Sequence, residues 1–367
     1  MAPKLAALAV LASLLGAVSC ESPLSIYAIY GYDPPNPNQP YPLPPVLPPK
    51  NPNPELKVGY YVQKNCPQAE DIVKRAVKEA TAGEKAGLIR LHFHDCFVEG
   101  CDGSVLLEKV ANMPDPEKLG LPNLSLRGFN IIDQAKATLE KECPETVSCA
   151  DILAFAARDA SKSLSYGAID YQVPAGRFDG NVSLASETFG KNLPPPFGSI
   201  EQITGMFAAK GLNQTDMVVL SGAHSIGRSA CGSFANSFSN RLLPDNSSTA
   251  MNRTLADQLS KTCTTDSVNV PQDYQTPYTL DHQYYKNVLS HNVLFNSDAV
   301  LESSQTKVLV DSYARDPPSF LGIFPIGRNA WYDAFGQAMV KMGKWDVKIN
   351  LDQGEIRKVC GYVNKKP

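Results

Sequence analysis

Arg90, Phe93 and His94 stand three and four residues apart within LIRLHFHDCFVEGCDGS, Leu88 to Ser104. No Gly or Pro interrupts Leu88 to Val98, and Leu88, Leu91 and Phe97 recur near the helical period, so the spacing predicts a helix there. Residues three and four apart are neighbours on a helix surface. A guanidinium, an aromatic ring and an imidazole would then project together, with His92 and Asp95 directed elsewhere. A lone His on a half-apolar helix is ordinarily packed or solvated. The Arg beside it changes the reading, because a charge on an apolar face is costly to bury without a purpose. The trio suits a proton shuttle, His94, with a charge stabiliser, Arg90.

Immediately afterwards, Asp95, Asp102 and Ser104 crowd oxygen atoms into ten residues, and Cys96 and Cys101 can close a small ring around Val98 to Gly100. Carboxylates, a hydroxyl and inward carbonyls from a tight Gly-containing loop are the donor set of a hard cation such as calcium. The spacing is not that of an EF-hand, and a solvated acidic turn is the alternative.

The elements that must position these groups are mostly helical. Ala69 to Ala80, Phe129 to Leu139, Ser148 to Ala160 and Met206 to Ala209 carry apolar residues at helical spacing, whereas strand alternation is rare. A mainly α fold with short helices and long loops follows, without internal repeats. The 367 residues, 43% of them hydrophobic, suffice for a large core, and a net charge of -3 gives no basic footprint for nucleic acid. Met1 to Cys20 has Lys4, an apolar run from Leu5 to Val18 and small residues before Glu21, the layout of a secretory signal peptide cleaved near Cys20. No later segment is apolar enough for a membrane span. Between Pro34 and Pro54, eleven of twenty-one residues are proline, so residues 21–56 form an extended arm rather than helix or sheet. Of nine cysteines, eight remain after the signal, an even set that implies disulfides in a secreted chain, with 105 pairings open. Asn123, Asn181, Asn213, Asn246 and Asn252 head N-x-S/T sequons.

The Leu88 to Ser104 stretch resembles the distal haem motif of the class III (secreted plant) haem peroxidases, and DMVVLSGAHSIGRSAC, Asp216 to Cys231, resembles their proximal motif. The likeness continues through VSCADILAFAARDA at 147–160, LPPPF at 193–197, TPYTLDHQYY at 276–285, NSDAVL at 296–301, GQAMVKMG at 336–343 and GEIRKVC at 354–360. It covers about Lys57 to Asn364, which makes 57–367 the peroxidase domain. The resemblance implies a two-lobed haem peroxidase fold with haem b between distal and proximal helical lobes.

It also implies roles. His224 would ligate the haem iron with Asp298 on its other ring nitrogen, a pairing that makes an imidazole more electron-donating. Gly222, Ala223 and Gly227 would let a flat group approach the backbone, and Phe93 would line the haem site. Arg90 and His94 would cleave hydrogen peroxide, with Asn123 accepting the Nδ1 proton of His94. Phenolic donors would meet the haem edge near Pro194 and Pro196. Two calcium ions are implied: a distal one at Asp95, Val98, Gly100, Asp102 and Ser104 with Glu117 acting indirectly, and a proximal one at Ser225, Asp273, Thr276, Thr279 and Asp281. The implied disulfides are Cys66–Cys143, Cys96–Cys101, Cys149–Cys360 and Cys231–Cys263, and Asp151 with Arg177 forms a structural ion pair. His92, His282 and His291 receive no catalytic role, and Asn123 no glycan. The chain departs from the family at Ser225, Phe178, Tyr171 and Glu99. The segment P-N-L-S-L-R-G-F is one residue shorter than usual, which bears on whether Asn123 reaches His94.

The expected protein is a secreted, extracellular, monomeric peroxidase whose proline-rich arm is either a passive linker or tail or, resembling proline-rich wall proteins, a contact to cell-wall polymers. Three other classes compete. A wall-associated calcium-binding structural protein would have damaged haem residues, yet Arg90, His94, His224 and Asp298 are all present. A Cys-His hydrolase would need a free thiol. A catalase-like enzyme would dispense with organic donors.

Overall fold

Thr81 and Glu84 start the helix that carries the distal residues. The Glu84 N–H donates to Thr81 Oγ1 at 3.3 Å and the Thr81 N–H to the Glu84 carboxylate at 3.0 Å, a reciprocal cap. A computed structural model of the chain describes residues 55–236, 240–317, 319–320, 324–325 and 327–365. The expected signal peptide, and all of the expected arm except Glu55 and Leu56, lie outside the described residues. We number the helices α1 (Ala69–Lys78), α2 (Ala82–Val98), α3 (Phe129–Glu142), α4 (Cys149–Leu164), α5 (Ile200–Ala208), α6 (Gln214–Ser221), α7 (Arg253–Thr262), α8 (Gln283–Leu289), α9 (Asn296–Ala299), α10 (Lys307–Ala314) and α11 (Trp331–Met342). Strand content among the described residues is two short antiparallel pairs, β1 (Arg228–Ala230) with β2 (Asn269–Pro271) and β3 (Ser319–Phe320) with β4 (Phe324–Pro325). The fold is mainly α, as expected.

Helix α2 begins six residues before the expected Leu88. Its glycines did not prevent this, and Gly87 has a packing reason to be there: a Cβ would sit 3.0 Å from both the Cβ and the carbonyl oxygen of Arg127. α2 packs against α4, and α1 packs against α3 and α4. On the other side α6 packs against α11, and α8 against α10. One apolar core runs through both groups, from Leu88, Leu91 and Phe97 on α2 to Met217 and Val218 on α6 and to Trp331 and Phe335 on α11. A smaller cluster, with Phe234, Leu255, Leu259 and Phe295, lies beside β1 and β2.

Within this core the Asp151 carboxylate accepts from Arg177 Nη1 at 2.6 Å, from Tyr61 Oη at 2.6 Å and from the Gly176 N–H at 2.7 Å. Arg177 donates on to the Gly343 carbonyl, so the expected ion pair joins α4 to the end of α11 with its hydrogen bonds filled.

The four disulfides follow the implied pairing. Loop-closure entropy separates their effects. The Cys149–Cys360 link, 211 residues apart, is worth about 5 kcal/mol, and the Cys96–Cys101 link, 5 apart, about 2 kcal/mol. The long bridge ties the end of the chain to the start of α4. The short one shapes the loop after α2.

Candidate active site

His94 is buried on α2, and both of its ring nitrogens are engaged. Arg90 Nε donates to Nε2 at 3.1 Å, and Asn123 Oδ1 lies 2.6 Å from Nδ1. A guanidinium has only donors, so Nε2 must carry the lone pair, and in the neutral ring Nδ1 carries the hydrogen that it donates to Asn123. This is the tautomer of a base aimed along Nε2. Burial and the Arg90 charge hold the His94 pKa well below the usual histidine value, although Asn123 pulls the other way, so the ring is neutral at ordinary pH.

Arg90 is fixed by contacts that the sequence did not suggest: Nη1 donates to Ser125 Oγ at 2.8 Å and Nη2 to the Pro122 carbonyl at 2.9 Å. The shortened segment from Pro122 to Phe129 therefore supplies the partners of Arg90 and still brings Asn123 to His94. Arg90 is accessible to solvent, yet burial and the nearby Arg127 charge push its pKa down to about 10. A side chain both accessible and surrounded by protein lines an internal cleft. Phe93 stands beside it, 5.6 Å ring to ring from His94 and 4.2 Å from Phe97.

The second site residue is delivered by α6. Asn213 and Asp216 cap its start reciprocally, at 2.9 and 2.7 Å, and its end continues into a 3-10 turn, Gly222–Ser225, that carries His224. His224 Nδ1 lies 2.8 Å from Asp298 Oδ1, while its side chain stays 40% exposed against 3% for Asp298. The carboxylate thus fixes one nitrogen and leaves Nε2 facing open space, the disposition of an imidazole ready to bind a metal ion. Tyr284 Oη also donates to Asp298 Oδ1 at 2.8 Å, and Phe295 stands 5.3 Å ring to ring from His224. The glycines divide their work differently from expectation. A Cβ on Gly222 would meet the Trp331 indole at 2.6 Å, so Gly222 serves packing against α11, and only Gly227, at φ 102° with its nearest neighbour 3.7 Å away, is open.

These features fit a haem: an accessible cleft with a basic lining, a neutral imidazole set as a base, and a second imidazole whose free nitrogen is presented by a buried carboxylate. Pro194 and Pro196 are half-buried in a loop tied to α9, since the Ser297 N–H donates to the Pro196 carbonyl at 3.0 Å and Asn296 Nδ2 to the Gly198 carbonyl at 3.2 Å. The loop of Pro194 and Pro196 is therefore held on one piece of structure with Asp298.

A family model described as peroxidase matches residues 69–316. The chain belongs to the peroxidase family. It is 48% identical over 316 residues to Peroxidase 2 of Zea mays, covering 84% of this chain and 89% of that one. Peroxidase 5 of Vitis vinifera is 44% identical over 322 residues, covering 84% and 92%, and Peroxidase 25 of Arabidopsis thaliana 43% over 316 residues, covering 84% and 92%. The chain is thus a class III plant peroxidase, an oxidoreductase that reduces peroxide at the expense of an electron donor, and its family implies haem as cofactor. The non-catalytic reading loses its ground.

In this peroxidase the loop after α2 gathers the expected oxygen groups. Asp95 Oδ2 accepts the Gly103 N–H at 2.9 Å, Asp102 Oδ1 accepts the Ser104 N–H at 3.0 Å, and the Gly100 carbonyl accepts the Asp102 N–H at 2.8 Å. The fully buried Glu117 carboxylate and Ser104 Oγ have no well-formed protein hydrogen bond. Burial and the Asp102 charge push Asp95 up to about 8, and the same causes with Asp95 added raise Glu117 well above the carboxylate range. Such orphaned oxygens fit a cation or the water it carries. Lys348 is an unexpected neighbour, its ammonium paired directly with Asp102 Oδ2.

A second oxygen cluster forms near His224. Ser225 Oγ donates to the Thr279 carbonyl at 3.0 Å, Thr276 Oγ1 lies 3.2 Å from Asp273 Oδ2 and 3.1 Å from Asp281 Oδ1, and the Asp281 N–H donates to Ser225 Oγ at 2.8 Å. His92 is buried, its Nδ1 3.7 Å from Cys96 Sγ, and burial with the Arg177 charge pushes its pKa down to about 3. Asn123 is buried, whereas Asn181, Asn213, Asn246 and Asn252 are exposed.

Proposed function

We propose that this peroxidase reduces hydrogen peroxide and oxidises phenols by single-electron steps, with His94 as proton carrier and Arg90 as charge stabiliser. The reading rests above all on the His94 tautomer, in which a neutral Nε2 lone pair lies beside a fixed guanidinium. Bound haem would supply the iron at which peroxide is cleaved and the two oxidising equivalents that result. His224 would hold it through Nε2, and Phe93 would flank it on the other side. His94 Nε2 takes the proton from the nearer peroxide oxygen and returns it to the farther one. Arg90 stabilises the charge growing on the departing oxygen. Asn123 keeps the proton of the resting imidazole on Nδ1, so the base never faces the wrong way. Small phenols approach the half-buried Pro194 and Pro196.

Two calcium ions complete the reading, one among Asp95, Val98, Gly100, Asp102 and Ser104 with Glu117 behind it, the other among Ser225, Asp273, Thr276, Thr279 and Asp281. Their support is the buried oxygen groups, most directly Glu117. The protein acts as a secreted monomer in the apoplast or cell wall, and its proline-rich arm binds wall polymers.

The test is an absorbance spectrum of haem-loaded protein before peroxide, after one equivalent, and after guaiacol. A Soret band that shifts and then returns supports the proposal. A band that never shifts overturns the roles given to His94 and Arg90.

A further inference from the structure

Five aromatic rings run in unbroken succession from His224 to the surface, ending at a second imidazole. Tyr284 lies 6.4 Å from His224, ring centre to ring centre, Tyr285 5.1 Å from Tyr284, Trp331 6.0 Å from Tyr285, Tyr332 5.3 Å from Trp331 and His282 6.1 Å from Tyr332. Tyr284, Tyr285 and Trp331 are buried, and Tyr332 is half-buried at the start of α11. We propose that this row carries electrons inward and that Tyr332 is a second donor site, which oxidises phenols too bulky to enter the haem cleft. It rests on the single-electron chemistry proposed above.

Buried aromatic rings usually serve packing, and these do pack. Packing alone, however, is met by Phe and Leu without a polar atom to satisfy. Each of the four side chains between the two imidazoles carries an O–H or N–H instead. Tyr285 Oη donates to the Val218 carbonyl at 3.0 Å and Trp331 Nε1 to the Val219 carbonyl at 3.0 Å, so both rings are pinned to α6, the helix that delivers His224. Electron tunnelling falls off exponentially with distance, and several short steps between oxidisable rings outrun one long step through aliphatic core.

The two ends also match the chemistry. A phenol gives up an electron readily only when its proton has somewhere to go. At the inner end Tyr284 Oη donates to Asp298 Oδ1 at 2.8 Å. At the outer end Tyr332 Oη stands 3.5 Å from His282 Nδ1, and His282 Nε2 is 3.1 Å from Asp316 Oδ1. With Nε2–H donating to Asp316, the Nδ1 lone pair faces the phenol.

The balance closes with reactants that the peroxidase reaction supplies. One electron leaves Tyr332 and passes through Trp331, Tyr285 and Tyr284 to the site oxidised by peroxide, while the phenol proton moves to His282. The bulky donor then returns a hydrogen atom to the Tyr332 oxygen and departs as a phenoxyl radical. The proton on His282 goes to solvent, from which reduction of peroxide to water takes one up.

The experiment uses full-length holoenzyme mixed with peroxide and the spin trap 2-methyl-2-nitrosopropane, followed by peptide mapping, with turnover of guaiacol and of a dextran-linked phenol measured in parallel. The expected result is an adduct on Tyr332 that disappears in Tyr332→Phe, with dextran-phenol oxidation falling about fivefold or more and guaiacol turnover within about twofold. Trp331→Phe, which keeps a ring in the core, is expected to cut the Tyr332 adduct strongly. An unmodified Tyr332 in wild type that turns over guaiacol overturns the inference, as does an adduct yield unaffected by Trp331→Phe or an equal fall for both donors in Tyr332→Phe. A wild-type holoenzyme inactive toward guaiacol overturns the proposed function beneath it as well.

Discussion

The Glu117 backbone carbonyl accepts a 2.8 Å hydrogen bond from Asn123 Nδ2, while the Glu117 carboxylate points, buried and without a well-formed hydrogen bond, toward the loop of Asp95 and Asp102. Asn123 in turn holds His94 Nδ1 at 2.6 Å. The base and the oxygen cluster are therefore two ends of one short connection. Whatever settles the Glu117 carboxylate also settles the orientation of His94.

Removing the carboxamide tests that connection. In Asn123→Val, His94 loses the acceptor that keeps its proton on Nδ1, and the peroxide-cleavage rate should fall by about 10- to 100-fold. Haem should still bind through His224. Stopped-flow measurement of the Soret shift against peroxide concentration checks this, and a rate within twofold of wild type would detach Asn123 from the role given to it.

Lys348 would weaken binding of the calcium ion proposed for the loop after α2. Its ammonium pairs with Asp102 Oδ2, so a calcium ion there shares that carboxylate with a fixed positive charge. Gly180 makes room for the arrangement, since a Cβ there would collide with the Asp102 carboxylate. Lys348→Met should tighten calcium binding by about tenfold, the scale of removing one partly screened like charge at short range. Chelator competition with calcium counted by atomic emission reads the change, and weaker retention in the variant would show that Lys348 supports the loop rather than competing within it.

His92 contributes to the acid sensitivity, in the same direction as the buried His94. Its pKa in the folded protein is pushed down to about 3, against about 6.5 for an unfolded His. Below pH 6.5 the unfolded chain therefore binds a proton that the folded chain refuses, and stability falls as pH drops from about 6.5 toward 3. One such proton amounts to about 2 kcal/mol between pH 6.5 and 5. Urea unfolding at those two pH values should show this loss in wild type and a smaller one in His92→Leu. Equal losses would place the sensitivity elsewhere.

Much of this was legible before any coordinates. The helical period around Arg90 and His94, the even set of cysteines and the crowding of Asp95, Asp102 and Ser104 each rest on spacing within one segment. The T-x-x-E cap of α2 was equally local, but the glycines at 83 and 87 hid the helix start. What could not be read was every contact made across the chain. Ser125 on Arg90, Lys348 on Asp102 and Trp331 against Gly222 join residues 35, 246 and 109 positions apart, and no periodicity records such pairs. The Gly222 misreading has the same origin: a glycine tells of a close approach without naming the group that approaches.

Asp151 offers the largest predicted stability effect. Its carboxylate accepts from Arg177, Tyr61 and the Gly176 backbone with no access to water. Asp151→Asn keeps the shape but removes the charge facing Arg177, whose guanidinium stays buried beside Gly343. A buried charge stripped of its counter-ion costs about 3–5 kcal/mol. Because the pair joins α4 to the end of α11, and α11 packs on α6, whose end leads into the turn of His224, part of that loss should appear as weaker haem retention. Urea unfolding and haem transfer to apomyoglobin measure the two effects separately. A variant as stable as wild type would mean that the Gly343 and Pro174 carbonyls satisfy Arg177 without the carboxylate charge, and would reduce the ion pair to a packing detail.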